Sequence, residues 1–198
     1  MKIKILIVFL FGVQVASGQS WNKKPRFGVT SGVNLSDMLV RSAAYTDLSF
    51  ETSVRGNFLL GAFAQFALSE PFSIASGITH TSYGATIHSL SLRYKFDYIT
   101  VPIVVKYVLN KSSFYALTGT QTGFLLKSTI DDGIHKNNIT KSSSKLDLGI
   151  LFGAGITFDD KIHFEVRKSI SFTNVSNIKG SGVFKNRGLS FSLGYLLY

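Results

Sequence analysis

His80-Thr81-Ser82 places an imidazole and a hydroxyl two residues apart, which on a strand puts both on one face. A serine beside a histidine is the minimal kit for acyl transfer, with the imidazole as base and a carboxylate from Glu51 or Asp97 as orienting third member. The sharp Gly-x-Ser-x-Gly elbow is absent, and ordinary polar residues near a strand end give the same pattern. Asp131-Asp132-Gly133 with His135 suggests a cation site, but a calcium loop needs several more oxygen ligands at set spacings, so the stretch reads as a turn. The four histidines are otherwise dispersed and the chain has no cysteine, which excludes zinc spacing, thiolate chemistry and disulfides. Gly149, Gly153 and Gly155 are not a phosphate cradle, since no helix follows them. We therefore expect no catalytic, cofactor-binding or metal-binding residues and no cofactor.

The other residues able to do chemistry are charges within apolar alternation. In Ile162-His163-Phe164-Glu165-Val166-Arg167 every second residue is apolar and each one between is ionisable. Leu146-Asp147-Leu148-Gly149-Ile150 and Leu189-Ser190-Phe191-Ser192-Leu193 share the period. One face of each strand meets an apolar medium and the other a polar space. Lys106, Asp147, Glu165 and Arg167 form the candidate charge network of that space. Counting strand rise from the nearest turns places Lys106 and Glu165 at similar depth, with Arg167 one pleat above Glu165. A lone buried carboxylate is costly, so Glu165 is expected to pair with Lys106 or Arg167.

These residues need strands to hold them, and alternation with bounding turn residues predicts eight: Arg26–Ser36, Arg55–Leu68, Phe72–Tyr83, Leu92–Leu109, Phe114–Lys127, Lys145–Phe158, Lys161–Phe172 and Arg187–Tyr198. Short turns at Ser69-Glu70-Pro71, Asn110-Lys111-Ser112-Ser113 and Asp159-Asp160 alternate with long connections over Asp37–Val54, Gly84–Ser91, Ser128–Ser144 and Thr173–Asn186. Short periplasmic turns alternating with long extracellular loops characterise outer-membrane barrels. A soluble barrel of the lipocalin kind also alternates, but it needs an apolar cup inside, whereas here the charged and small set must line the narrow interior. The expected fold is all-β, an eight-stranded antiparallel up-and-down transmembrane β-barrel.

Aromatic residues fall at two heights, as in interfacial girdles. Phe27, Phe66, Phe72, Tyr107, Tyr115, Phe158, Phe164 and Tyr195 lie near the turn side, and Phe58, Tyr94, Phe96, Phe124 and Phe172 near the loop side. The register of Leu189 to Leu197 puts the terminal Tyr198 on the face opposite the lipid-facing set.

The address agrees. Lys2 and Lys4, the apolar run Ile5 to Val15, and Ala16-Ser17-Gly18 read as a signal peptide over residues 1–18, with the barrel domain over 19–198. Only 16% of residues are charged although no helix-length apolar run follows the leader, and dyad alternation produces that combination. The net charge of +10 is scattered, which with an exported address argues for lipid phosphates at the outer surface and against nucleic acid. The expected partners are outer-membrane lipids and lipopolysaccharide.

Three stretches carry a family resemblance. Phe27-Gly28-Val29-Thr30-Ser31-Gly32-Val33-Asn34-Leu35-Ser36 resembles the opening FGxxxGxNxS strand of PorT-like outer-membrane β-barrel proteins. Tyr98 to Tyr107 is similar to their central YxxIPxxxKY strand, with Val101 where isoleucine is usual before Pro102. Phe114 to Gly119 followed by Leu148 to Ile156 resembles their second half. The resemblance implies an outer-membrane location in a Gram-negative bacterium and, from one branch, secretion of surface proteins with secretion-machinery proteins as partners.

We thus expect a small non-enzymatic barrel with a side-chain-plugged lumen and basic extracellular loops in a structural or surface-interaction role. Secretion accessory is the alternative. A lipid A-modifying enzyme is a third reading, because His80 and Ser82 resemble the histidine–serine pair of lipid A deacylases.

Overall fold

The computed structural model describes residues 24–41, 52–87, 91–109, 112–177 and 182–197. The expected signal peptide, Glu51, the Asn110-Lys111 part of one turn, and Tyr198 lie outside the described residues. The described residues form nine strands: β1 (Arg26–Arg41), β2 (Thr52–Ser69), β3 (Phe72–Ile87), β4 (Leu92–Val108), β5 (Phe114–Asp131), β6 (Lys136–Asn138), β7 (Leu146–Phe158), β8 (Ile162–Ser171) and β9 (Val183–Leu196). Each long strand pairs antiparallel with its neighbours, and β1 pairs with β9 to close the ring. The three-residue β6 hangs on β5 outside that ring. The molecule is an eight-stranded up-and-down barrel, and closure removes the free edges that a membrane would not tolerate.

Alternation decides which way each side chain points. On β7, Leu146, Leu148, Ile150 and Phe152 are exposed while Asp147 and Leu151 are buried. On β8, Ile162 and Phe164 face out and His163 and Glu165 face in. On β9, Leu193 and Tyr195 face out while Ser192 and Leu196 are buried. The outward set is apolar, as a lipid-facing surface must be. Among the described residues no helix is long and apolar enough to cross a membrane.

The turns follow from local chemistry. Asp159 and Asp160 both take positive φ (47° and 54°), and Lys161 N–H donates to the Phe158 carbonyl at 3.0 Å. A two-residue loop with both central residues left-handed matches the twist of its flanking strands, and aspartate tolerates that conformation better than most residues.

The strands overrun the predicted ends on the long-loop side. β1 continues to Arg41, β3 to Ile87 and β5 to Asp131, while β9 begins at Val183. The segment expected as one loop over Ser128–Ser144 contains β6 and a 3-10 turn at Thr140–Ser142. The reason lies inside. Met38, Val40, Tyr83, Ala85, Ile87, Phe96, Tyr98 and Val175 form a buried apolar cluster in that half of the barrel. This corrects the expectation of a wholly polar or small-residue lumen: the strands carry on because their inward faces share a core.

Three of the expected girdle aromatics belong to the interior: Tyr115, Phe96 and Tyr94, the last packed against the buried cluster. Tyr115 is 3% exposed and Phe96 is 3% exposed, whereas Phe58, Phe72, Phe114, Phe124, Phe158 and Phe172 stand on the outer surface. Height alone places Tyr115, Phe96 and Tyr94 in the girdles; strand parity turns them inward.

Between Val54 and Leu59 the pairing of β2 with β3 shifts register. There the side chains of β1 reach under β2 to the backbone of β3. Asn34 Nδ2 donates to the Ser82 carbonyl at 2.8 Å. Ser36 Oγ accepts the Gly84 amide at 2.9 Å and donates to the Gly84 carbonyl at 3.0 Å. Buried backbone groups left without a ladder partner are costly, and these two side chains supply the partners.

Candidate functional site in the barrel lumen

Three of the four network residues meet in the turn-side half of the lumen. Lys106 enters from β4 and is 3% exposed; Glu165 enters from β8 and is 5% exposed. Lys106 Nζ lies 2.7 Å from Glu165 Oε1. Arg167 grips the other carboxylate oxygen, with Nε 2.7 Å from Glu165 Oε2 and Nη2 on the same atom. Tyr115 completes the set by donating its hydroxyl to Glu165 Oε1 at 2.7 Å. Glu165 therefore pairs with both cations.

Packing fixes this arrangement. Tyr115 stands opposite Gly155, and Gly155 stands opposite Glu165 on the far side. A Cβ on Gly155 would lie 2.5 Å from the Tyr115 ring and 2.8 Å from the Phe164 carbonyl, so only glycine lets the phenol cross β7. The Lys106 ammonium sits 4.8 Å from the Tyr115 ring centroid and 5.9 Å from that of Phe63. His163 is edge-on to both rings and shares a 2.9 Å hydrogen bond between Nδ1 and Thr157 Oγ1. The aromatic faces and the carboxylate together surround a cation that has left water.

Asp147 does not join this cluster. It lies higher in the lumen, where Oδ2 accepts from Asn186 Nδ2 at 2.8 Å and from Ser171 Oγ at 3.0 Å. No lysine or arginine among the described residues is within ion-pair distance of it. Tyr83 and Tyr98 stack edge to face beside it, 6.0 Å between centroids. Tyr83 accepts from Gln121 Nε2 at 2.9 Å, and Tyr98 accepts from Asn186 at 3.4 Å. Sequence reasoning put Asp147 with the other charges because all four share the inward face; it could not see that barrel stagger separates them.

Three cavities bordered by described residues bear on the interior. One of about 30 Å³ lies against Lys106, His163, Glu165 and Arg167. Another of about 50 Å³ lies between Arg167, Asn34, Gln121 and Ser169. Each has room for one or two waters. The third, of about 260 Å³, opens at the loop-side mouth among Tyr94, Phe96, Ile139, Val175 and Phe184.

The other sequence candidates hold different geometry. His80 is exposed on the outer face, whereas Ser82 is buried and donates to Asp97 Oδ1 at 2.5 Å. The serine proton thus points at the carboxylate, and no hydrogen bond joins Ser82 to His80 among the described residues. Asp131 Oδ1 accepts the Gly133 amide at 2.8 Å, and Asp132 Oδ1 accepts those of His135 and Ile134 at 2.6 and 2.9 Å. The amides of His135 and Ile134 hold the Asp132 carboxyl below the usual carboxylate range. These carboxylates serve their own backbone turn.

A closed barrel with an apolar exterior, charges inside and loops gathered at one mouth defines a small outer-membrane protein. The chain belongs to the outer membrane protein beta-barrel domain family, matched over residues 16–177, and it resides in the outer membrane. Its fold is similar to that of Neisserial surface protein A, with a TM-score of 0.58, 12% identity and coverage of 87% of this chain and 99% of that one. At such identity the likeness is one of fold. Ail, the attachment invasion locus protein of Yersinia pestis, aligns with a TM-score of 0.47 and 13% identity over 88% of this chain and 100% of Ail. OprG from Pseudomonas aeruginosa gives 0.47 and 11% over 89% of this chain and 97% of OprG. No curated protein matches the sequence.

Proposed function

We propose that this protein is a non-enzymatic outer-membrane barrel whose lumen is plugged by its own side chains, and that it acts as a structural or surface-interaction protein embedded among lipopolysaccharide molecules. The observation that carries the reading is the layered interior. Lys106, Glu165, Arg167 and Tyr115 cross-link β4, β5 and β8 below, and Tyr83 and Tyr98 close the section above. An ion would have to displace a paired carboxylate and then an aromatic layer, each at a cost of several kcal/mol. Eight-stranded barrels have interiors just wide enough for side chains, which supports the same view.

The test is conductance. Purified protein in a planar bilayer should give no sustained open-channel current, and its band should shift on a gel when boiled in detergent. Steady porin-like current from the folded form would overturn the plugged reading.

A second reading, a secretion accessory of the PorT-like kind, draws on the Phe27–Ser36 and Tyr98–Tyr107 motifs. Their residues do structural work in this barrel: Asn34 and Ser36 complete the backbone bonding of β3, and Lys106 neutralises Glu165. They therefore support family kinship more than activity. Deleting the gene and measuring exported surface proteins separates the readings, since an accessory role requires their loss from the surface.

A further inference from the structure

Below Lys168 the outer faces of β8 and β9 are apolar: Ile162, Phe164 and Val166 on one strand, Phe191, Leu193 and Tyr195 on the other. Above that level the same surface becomes cationic. Lys168 lies opposite Leu189, and Arg187 lies opposite Ile170, which makes Lys168 and Arg187 diagonal neighbours. Lys185 is one pleat above Arg187. By strand parity all three share the outward face.

Their height is informative. Lys168 is six residues beyond Ile162, about 15 Å up the barrel for a tilted strand, within an apolar band about 25 Å tall. Arg187 and Lys185 follow at successively higher levels, so the three span the outer-leaflet side of the band and its upper interface. Cations placed there need an anion, and the protein provides little. Among the described residues the carboxylate beside them is Asp37, opposite Arg187 on β1. It is engaged by the Met38 amide and the Thr52 hydroxyl, and no ion pair joins it to Arg187 among the described residues. On the far side of the barrel the outward Lys95, by contrast, lies 3.0 Å from Asp97.

We propose that Lys168, Arg187 and Lys185 form a binding site for the phosphate groups of an outer-leaflet glycolipid, the lipid A portion of lipopolysaccharide. The site rests on the proposed setting among lipopolysaccharide molecules and gives that setting a location. The guanidinium takes a phosphate through two parallel hydrogen bonds, and the flanking ammonium groups add point charge. From Lys168 to Lys185 the ladder runs about 13 Å along the strands, long enough to engage more than one phosphate of a headgroup. The apolar surface below receives acyl chains, so headgroup and tails are held in register.

Native mass spectrometry of the full-length protein in neutral detergent tests this, with added diphosphorylated lipid A, the dephosphorylated form, or inorganic phosphate. Lipid A should bind, and the dephosphorylated form should bind about tenfold more weakly, the equivalent of one charged hydrogen bond. A Lys168→Gln, Arg187→Gln, Lys185→Gln variant should lose a similar factor, whereas Arg93→Gln, Lys95→Gln, Lys127→Gln on the other side should retain binding. Equal losses from both triples would reduce the effect to general charge attraction and overturn the site. So would competition by inorganic phosphate at matched concentration. Full binding by the first triple would sink this site while leaving the lipopolysaccharide reading intact; absence of binding to the unaltered protein would sink both. The boiling shift on a gel verifies folding, and Arg187→Gln alone, expected to weaken binding several-fold, serves if the triple does not fold.

Discussion

Tyr115 and Glu165 sit on strands that do not pair, yet the phenol reaches the carboxylate at 2.7 Å because Gly155 stands between them without a side chain. Gly155→Ala should therefore be destabilising. The added methyl would lie 2.5 Å from the ring and close to the Phe164 carbonyl, and overpacking of this kind costs roughly 1–3 kcal/mol. A lowered midpoint in urea, followed by the boiling shift, would show it; an unchanged midpoint would mean that the ring moves aside freely.

The charge cluster predicts non-additivity. Glu165→Ala leaves two cations without their carboxylate partner, and breaking a buried pair from one side costs about 3–5 kcal/mol. Adding Lys106→Ala removes one of the stranded charges. The double variant should thus be more stable than the sum of the two single losses implies, and simple addition in a double-mutant cycle would show that each group is independently hydrated.

Ser36→Ala should loosen the upper part of β3. The hydroxyl serves both the amide and the carbonyl of Gly84, and Ser36 is 0% exposed, so no solvent stands ready to replace it. Loss of a buried partner costs about 1–3 kcal/mol. Amide exchange at Gly84 should rise well above that at Ala75, lower on the same strand. Equal protection in variant and parent would refute the role.

Lys168→Leu should be tolerated by the folded barrel, since it adds an apolar side chain to an outward position. Val166→Lys, two residues deeper on the same face, should destabilise by about 2–4 kcal/mol, the cost of a cation near the bilayer midplane. Refolding in lipid vesicles, measured for both, separates them. Equal effects would mean that β8 sits at a different height in the membrane.

The Asp132 turn carries a pH signature. Its carboxyl is held below the ordinary value of 3.8 by amides that bond the charged form, so the added order is fully present above that value. It is lost as pH falls through the lower folded value. Exchange of the Ile134 and His135 amides should stay slow relative to Asp132→Ala at neutral pH and converge with it in strong acid. Convergence already at neutral pH would show that the carboxylate does not order the turn.

Much of the fold was legible in the residues. Period-two alternation in Ile162 to Arg167 identifies two faces, and low charge with scattered glycines says that the apolar face is outside. The Asp159-Asp160 pair marks a tight turn. Those features are local, so one strand at a time suffices to read them. The pairing of Glu165 with Lys106 was also within reach, because turn counting gives depth and a buried carboxylate demands a cation.

What the sequence could not show depends on neighbours brought together by closure. Barrel stagger put Asp147 with Asn186 and Ser171, away from Glu165, although both carboxylates share an inward parity. The apolar mouth around Tyr83 and Tyr98 exists because inward positions of several strands converge there, and each strand alone looks like the end of a pattern. Asn34 and Ser36 read as polar members of a motif until the slipped register of β2 reveals the backbone groups they satisfy. Alternation is a property of one chain segment, but stagger, shear and shared interior volume are properties of the closed ring, and only the tertiary structure decides them.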